Sequence, residues 1–465
     1  MPTRRQALKM GIAGAAALMG ASVAGNGFAQ TGRTPAARRP NVIVFHTDDQ
    51  NFDSIGCYGY PVFTPHMDAM AGRGVRFQRG YTPIGICMPS RLSLVTGLYP
   101  RRCAQPSFQK LFPKDVPTEP SFNTPLAEGQ HTVASVLKKA GYATGFVGKW
   151  HIGGPDRALL KPLPVSKEWA AEWKPLRDDL NPRDPEVCRI LEHNHRIHGE
   201  HIRKFGFDYA DRIMENTESL RSRALNYHNP EWIAEGALNF INGNRDKPFF
   251  LYCNHTLHHI PHPQESLFNA DPRASMGGYL DRAPDVMPSR REIVEMVKRE
   301  GFPEKTAFCT WQDMAFGSVI RRLAELGLTD DTMIVFISDN NIVNKGTIYE
   351  GGVNVPCMIS HPQSVPGGRN SARLIQNIDL APTIFSLCGV QKPADMRIDG
   401  VDAMPMLRGE KETVREEAFF EIGWSRACCT ERWKYLAVRP TKSAEEFRTS
   451  KDRKSTRLNS SHRIR

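Results

Sequence analysis

Zinc-binding patterns are missing from this chain of 465 residues: its ten cysteines include no CxxC pair, and no Cys/His spacing suits a zinc site. There is no internal repeat and no heptad, which excludes solenoids and coiled coils. Long apolar runs are also wanting. The best of them, Met10 to Gly25, is Ala/Gly-rich and too short and mild for a stable membrane span. The body of the chain lacks net charge. Of the formal +11, residues 1–40 hold six Arg/Lys and no acid, and residues 451–465 hold six against one Asp, which leaves 41–450 neutral. The pI of 9.2 is therefore a property of the two ends, and no nucleic-acid partner is expected. What is present, 465 residues at 40% hydrophobic, suffices for one large domain and a small one.

The ends read separately. Arg4-Arg5, the Ala/Gly-rich run and Gly27-Phe28-Ala29 have the form of a twin-arginine signal peptide over residues 1–29, with cleavage after Ala29 and a periplasmic or secreted destination. No cysteine follows at a lipoprotein position. Residues 30–40 form a Pro/Arg-rich leader. At the other end, Asp452 to His462 reads like a translated sequencing-adapter string, so residues 452–465 are expected to be an artefact on a chain truncated near Lys451.

Between the ends, chemistry-bearing residues follow short apolar runs. Val42–Phe45 reads as a buried parallel strand and runs into Asp48-Asp49; Met333–Ser338 reads likewise and runs into Asp339-Asn340. Ligands collect at the carboxyl ends of strands in open α/β sheets, and paired oxygen donors there suit a hard cation. Taken alone, Asp48-Asp49 reads more readily as the cap of the next helix or turn. Thr132–Ala140 predicts a helix stopped by Gly141, then a strand over Tyr142–Val147 that delivers Gly148-Lys149-Trp150-His151. Phe249–Tyr252 predicts another strand, followed by His255, His258, His259 and His262. Lys345 opens Lys345-Gly-Thr-Ile-Tyr-Glu-Gly-Gly352. Cys87-Met-Pro-Ser-Arg91 continues to Leu94, Thr96 and Gly97, and Pro89 suits the first turn of a helix.

Cys87-x-Pro89-x-Arg91 with its continuation, the stretch Gly141–Gly153 and the two oxygen-rich strand ends together resemble the type I, formylglycine-dependent sulfatases of the alkaline-phosphatase-like superfamily over roughly residues 41–440. The resemblance implies an α/β fold: a large, mixed, mostly parallel sheet sandwiched by helices, with a small C-terminal antiparallel sheet. The expected divisions are 41–395 for the catalytic domain and 396–451 for a partial C-terminal subdomain. It also implies oxidation of Cys87 to formylglycine by a sulfatase-maturing enzyme, which twin-arginine export of a folded protein would allow in the cytoplasm. One Ca²⁺ would sit on Asp48, Asp49, Asp339, Asn340 and residue 87.

By the same resemblance Arg91 steadies residue 87 and the carboxylates, Lys149 and Lys345 hold sulfate oxygens, His259 protonates the leaving alcohol, and His151 takes the proton that lets sulfate depart. The family's Ala-Pro-His-x-Pro appears here as Leu257-His258-His259-Ile260-Pro261, which puts His259 in the acid position. The link from Asn340 to Lys345 is short, which bears on substrate choice rather than chemistry. The implied substrate is a sulfated small molecule or glycan. A phosphodiester or phosphonate monoester hydrolase of the same superfamily, and a sulfate-binding protein without turnover, are the alternatives.

Two segments read as insertions: Cys103–Gln130, proline-rich and aperiodic, and Pro155–Arg223, expected to be a solvated polar loop, with His193, His195, His198 and His201 as a conceivable second metal site. Asp379–Gly389 predicts a capped helix and Trp433–Val438 a strand of the small sheet.

Overall fold

Every residue of Asn41–Thr47 is buried, and this strand, β1, lies within a nine-stranded sheet. The computed structural model describes residues 38–114, 116–118, 124–153, 172–174, 180–214, 225–260, 263–437 and, as backbone, 459–463. The segment expected to be a signal peptide lies outside them, as do His262 and Val438. In chain order the strands are β2 (Val75–Tyr81), β3 (Ala143–Lys149), β4 (Tyr209–Met214), β5 (Phe249–Asn254), a two-residue hairpin β6 (Ala274–Ser275) and β7 (Gly278–Tyr279), β8 (Thr332–Ser338), β9 (Asn354–Ser360), β10 (Arg369–Ser371) and β11 (Ile375–Gln376). The large sheet runs β10-β2-β9-β8-β1-β5-β3-β4, with β11 also on β2. Only β9 is antiparallel to its neighbours.

Alternation along β1 divides the core. Val42 and Val44 face the helices Cys87–Thr96, Val133–Lys139 and Leu380–Cys388, while Ile43 and Phe45 face Pro65–Arg73, Pro230–Asn244 and Ala307–Glu325. Some helix ends carry caps, although Asp379 makes no side-chain cap bond to Leu380–Cys388. Thr132 and Ser135 form a capping box, and Gly389 closes Leu380–Cys388 at φ 63°.

The small sheet is antiparallel: β12 (Glu417–Ile422), β13 (Ser425–Thr430), β14 (Trp433–Ala437) and β15 (Asn459–Arg463). Its inner face, with Ala418, Phe420, Ala427, Cys429 and Leu436, packs on Tyr81, Ile84, Ile348 and Val353. None of the ten cysteines, all of which lie among the described residues, is in a disulfide. No helix among the described residues is long and apolar enough to cross a membrane.

One expectation is corrected. Within the segment read as a solvated loop, Pro185–Arg203 is a 19-residue helix, capped by Asp184 and packed on β4. Its inward stripe carries Leu191, Asn194, Ile197, His198, His201 and Ile202. His195 accepts from the Ile213 amide at 3.1 Å and lies 5.7 Å from the Trp232 ring. Burial pushes His195 down to about 4 and His201 to about 3, so both are neutral. These histidines form no metal-holding group among the described residues.

Candidate active site

Parallel strands that end at one level bring their following residues together. β1 and β8 are paired in register up to Thr47 and Ser338, so Asp48-Asp49 and Asp339-Asn340 emerge side by side. β5 flanks β1 on its other side, and β3 flanks β5. Gly148 makes the last approach possible: a Cβ there would lie 1.7 Å from the Asn254 carbonyl oxygen, and its φ is +92°. Lys149 and His151 follow directly. The loop after β2 starts the Cys87–Thr96 helix at Cys87, and Gly97, at φ 71°, ends it.

Arg91, one turn into that helix, is fully buried. Its Nε donates to Asp339 Oδ2 at 2.9 Å, Nη1 donates to the Lys149 carbonyl at 3.0 Å, and Nη2 forms ion pairs at 2.9 Å from Asp339 Oδ2 and 3.7 Å from Asp48 Oδ2. The Lys149 ammonium pairs with Asp48. Lys345 Nζ sits 2.7 Å from Asp49 Oδ2, and Asn340 Nδ2 donates to Asp49 Oδ1 at 2.5 Å. His259 Nε2 lies 3.8 Å from Asp49 Oδ2, and its Nδ1–H donates to the Ile260 carbonyl at 2.7 Å. Cys87 Sγ is 3.9 Å from Asp49 Oδ1. All ten sequence-predicted site residues therefore belong to one neighbourhood; His151 joins it through its electrostatic coupling to Lys149, Arg91 and Asp48. Asp49 and His151 both hold left-handed backbone, φ 55° and 56°, a conformation unfavourable for residues with a side chain and common at functional sites.

Each of the three carboxylates has a cationic partner, yet they differ in proton affinity. Burial would raise Asp48, but Lys149, His259, Arg91 and Lys345 hold it well below the usual carboxylate range. Burial and the neighbouring Asp48 raise Asp49, and the same two causes push Asp339 up to about 7 against Arg91. Asp48 Oδ1 and Asn340 Oδ1 are buried without a hydrogen-bond partner. Burial, then Asp339, Asp48 and Asp49, pushes the Cys87 thiol well up. His151 is held neutral by burial and then Lys149, with Nδ1 buried and unpartnered. Burial and then Lys149 push His259 down to about 3.

The other described histidines of its loop face elsewhere. His255 stacks on Phe45 at 4.4 Å, and His258 Nε2 meets Gln312 Oε1 at 2.7 Å. Two contributors are missing from the sequence reading. His228 Nε2–H donates to the His259 carbonyl at 2.8 Å while its Nδ1 accepts from Thr256 Oγ1 at 2.7 Å. Asn51 Oδ1 accepts from the Ile342 and Val343 amides at 3.1 and 3.4 Å, pinning the short link to Lys345. Adjacency to Asp48-Asp49 is a signal for Asn51. For His228 the sequence offers only the start of a helix.

Comparison with known proteins agrees with this geometry. The Sulfatase family model matches residues 40–390. Arylsulfatase A of Homo sapiens is 28% identical over 410 residues, covering 83% of this chain and 71% of its own. The N-acetylgalactosamine-6-O-sulfatase of Bacteroides thetaiotaomicron is 25% identical, over 86% of this chain and 83% of its own length. In fold the chain is similar to a solved sulfatase from the glycosaminoglycan metabolism of Bacteroides thetaiotaomicron, at TM-score 0.61 and 21% identity, covering 87% of this chain and 89% of that one. With a family match spanning three quarters of the chain and a strand-end site of this composition, the chain belongs to the sulfatase family and is a sulfuric ester hydrolase.

Proposed function

We propose that this enzyme hydrolyses sulfate monoesters on carbohydrates, with residue 87 matured to formylglycine and one Ca²⁺, in the periplasm or outside the cell. The carrying observation is the set of donors Asp48, Asp49, Asp339 and residue 87, which can meet at one point. Asn340 joins them, and Arg91, Lys149 and Lys345 ring them with positive charge. The donors fit the metal. Those of Asp48, Asp49, Asp339 and Asn340 are hard oxygen atoms, burial and the neighbouring Asp48 raise Asp49 and Asp339, and buried oxygens of Asp48 and Asn340 lack partners. Asp48, Asp49, Asp339 and Asn340 would hold it. The Cys87 environment fits a modified residue better than a nucleophilic thiol, since three carboxylates oppose thiolate formation. A hydrated formylglycine with Ca²⁺ would supply an acidic hydroxyl as nucleophile and a second hydroxyl through which sulfate can be released.

The chain's own residues do the rest. Lys149 and Lys345 carry the cations that an incoming sulfate monoanion meets. His259 turns Nε2 inward because Nδ1–H is committed to the Ile260 carbonyl. In the free site it is neutral; an arriving anion offsets Lys149 and Lys345 and favours the protonated ring that can donate to a leaving alcohol. His151, neutral and with a free ring nitrogen, is suited to accept a proton. The carbohydrate substrate class is supported by the similarity to the Bacteroides thetaiotaomicron N-acetylgalactosamine-6-O-sulfatase.

Steady-state rates on matched nitrophenyl sulfate and nitrophenyl phosphate, then on a panel of sulfated sugars, test the reading. Sulfate esters are expected to turn over with the higher kcat/KM. A preference for phosphate or phosphonate esters would move the enzyme to that alternative chemistry, and binding without turnover would make it a sulfate-binding protein.

A further inference from the structure

Lys434 is a buried cation that the chemistry above leaves unused. Its side chain, on the inner face of β14, is 2% exposed and lies 2.8 Å from Glu350 Oε1. The ammonium also stands 4.0 Å from the Phe420 ring centroid and 5.6 Å from that of Tyr81. The Tyr81 hydroxyl donates to Glu350 Oε2 at 3.0 Å. One carboxylate is thus held from the small sheet and from the end of β2 at once. Burial pushes the Lys434 ammonium below its ordinary pKa, and Glu350 opposes the shift. Hiding a lysine costs stability that an apolar side chain would not.

The two segments gripped by this carboxylate are those that deliver site residues. Glu350 lies five residues after Lys345, and Tyr81 six before Cys87. Between these points the backbones are laced together. Gly346 N–H donates to the Gly85 carbonyl at 2.8 Å, Thr82 N–H to Val353 at 2.9 Å, and Asn341 N–H to Gly352 at 3.3 Å. The approach is close: a Cβ at Gly85 would lie 2.4 Å from the Thr347 carbonyl oxygen. The small sheet joins the same lacing, since Glu421 N–H of β12 donates to the Pro83 carbonyl at 2.9 Å.

We propose that Lys434 and Glu350 are positioning residues: with Tyr81 they fix the Lys345 segment against the Cys87 segment, so that the C-terminal sheet sets the geometry of the sulfate anchor. The proposal rests on the reading of Lys345 as a sulfate ligand. It assigns the small sheet a part in substrate binding.

The test uses the full chain, calcium-loaded and with residue 87 equally modified in every variant by mass spectrometry. Lys434→Met with Glu350→Gln removes both charges together, so no buried charge is stranded, and it preserves side-chain size. The readouts are inhibition by inorganic sulfate, KM and kcat on nitrophenyl sulfate, and thermal unfolding. The paired variant is expected to raise both the sulfate inhibition constant and KM about tenfold, and the triple variant with Lys345→Ala to be no worse than Lys345→Ala alone, as for residues acting in one unit. A lower melting temperature with unchanged sulfate inhibition, or losses that multiply in the triple variant, would overturn the proposal. If Lys345→Ala leaves sulfate inhibition untouched, the ligand reading of Lys345 falls and the proposal with it.

Discussion

Cys87 sits among three carboxylates that suppress its thiolate, so a thiol nucleophile there works against its own electrostatics. The maturation hypothesis follows from that environment and from Pro89 and Arg91. Mass spectrometry of the peptide carrying residue 87 should show oxygen in place of sulfur and the loss of two hydrogens, and Cys87→Ser should keep at most a trace of activity. Fully active enzyme with an intact thiol would sink the hypothesis. His259 carries the next. Its ring is near Asp49, while His258 is tied to Gln312 and His255 lies on Phe45. An acid matters most for a poor leaving group, so His259→Ala is expected to lose about two or more powers of ten more rate on a sugar sulfate than on nitrophenyl sulfate. His258→Ala or His255→Ala should show no such split. A selective loss at His258 instead would shift the assignment by one residue. The charged site residues are legible one by one in the sequence because each follows a strand or opens a helix. Their pairings, Arg91 with Asp339 or Lys345 with Asp49, join residues 248 and 296 positions apart and leave no local trace.

At the scale of elements, Val42–Phe45 and Met333–Ser338 read as strands because a strand covered on both faces has no polar alternation. The structure extends them only to Asn41–Thr47 and Thr332–Ser338. Pro185–Arg203 escapes the same reasoning for the opposite cause. Its inward stripe includes Asn194, His198 and His201, so counting apolar residues hides a helical period that buried polar side chains complete. The small sheet presents a different problem at its edge. β15 pairs with β14 from Trp433–Arg463 to Ala437–Asn459, within the segment read as adapter-derived. An open edge offers unpaired N–H and C=O groups to any extended segment, so pairing alone does not make β15 native. If the adapter reading holds, deleting residues 452–465 should leave melting temperature and turnover unchanged. A drop in either, or the same residues encoded in an intact genomic locus, would make that strand part of the protein.

For the molecule as a whole, the carboxylate cluster couples folding to metal and pH. Asp339, raised to about 7, binds its proton more tightly folded than unfolded, and Asp49 is raised too. A raised carboxyl contributes stability that is full below its unfolded value of about 4 and is lost as pH climbs through the folded value. Asp48 is depressed and acts oppositely, but its contribution is lost only as pH falls below about 4. The cluster's own contribution in the metal-free protein should therefore fall between about pH 4 and pH 7, by on the order of a few kcal/mol, against an opposing gain from depressed histidines such as His195 and His201, which is common to the metal-free and metal-loaded protein. A cation on the same oxygens takes over the role of the protons, so the calcium-loaded protein should not show this loss. Thermal unfolding with excess Ca²⁺ and with chelator, from pH 5 to pH 8, checks the sign: the gap in melting temperature should widen by a few degrees as pH rises. Asp48→Ala removes a ligand and should narrow the gap at every pH. A gap that is constant or larger at pH 5, or stoichiometric zinc with no calcium in metal analysis of the purified protein, would refute the calcium assignment. The pH sign matters more than the size, because ligands that bind outside the cluster would stabilise the fold without any reason to compete with the protons of Asp49 and Asp339.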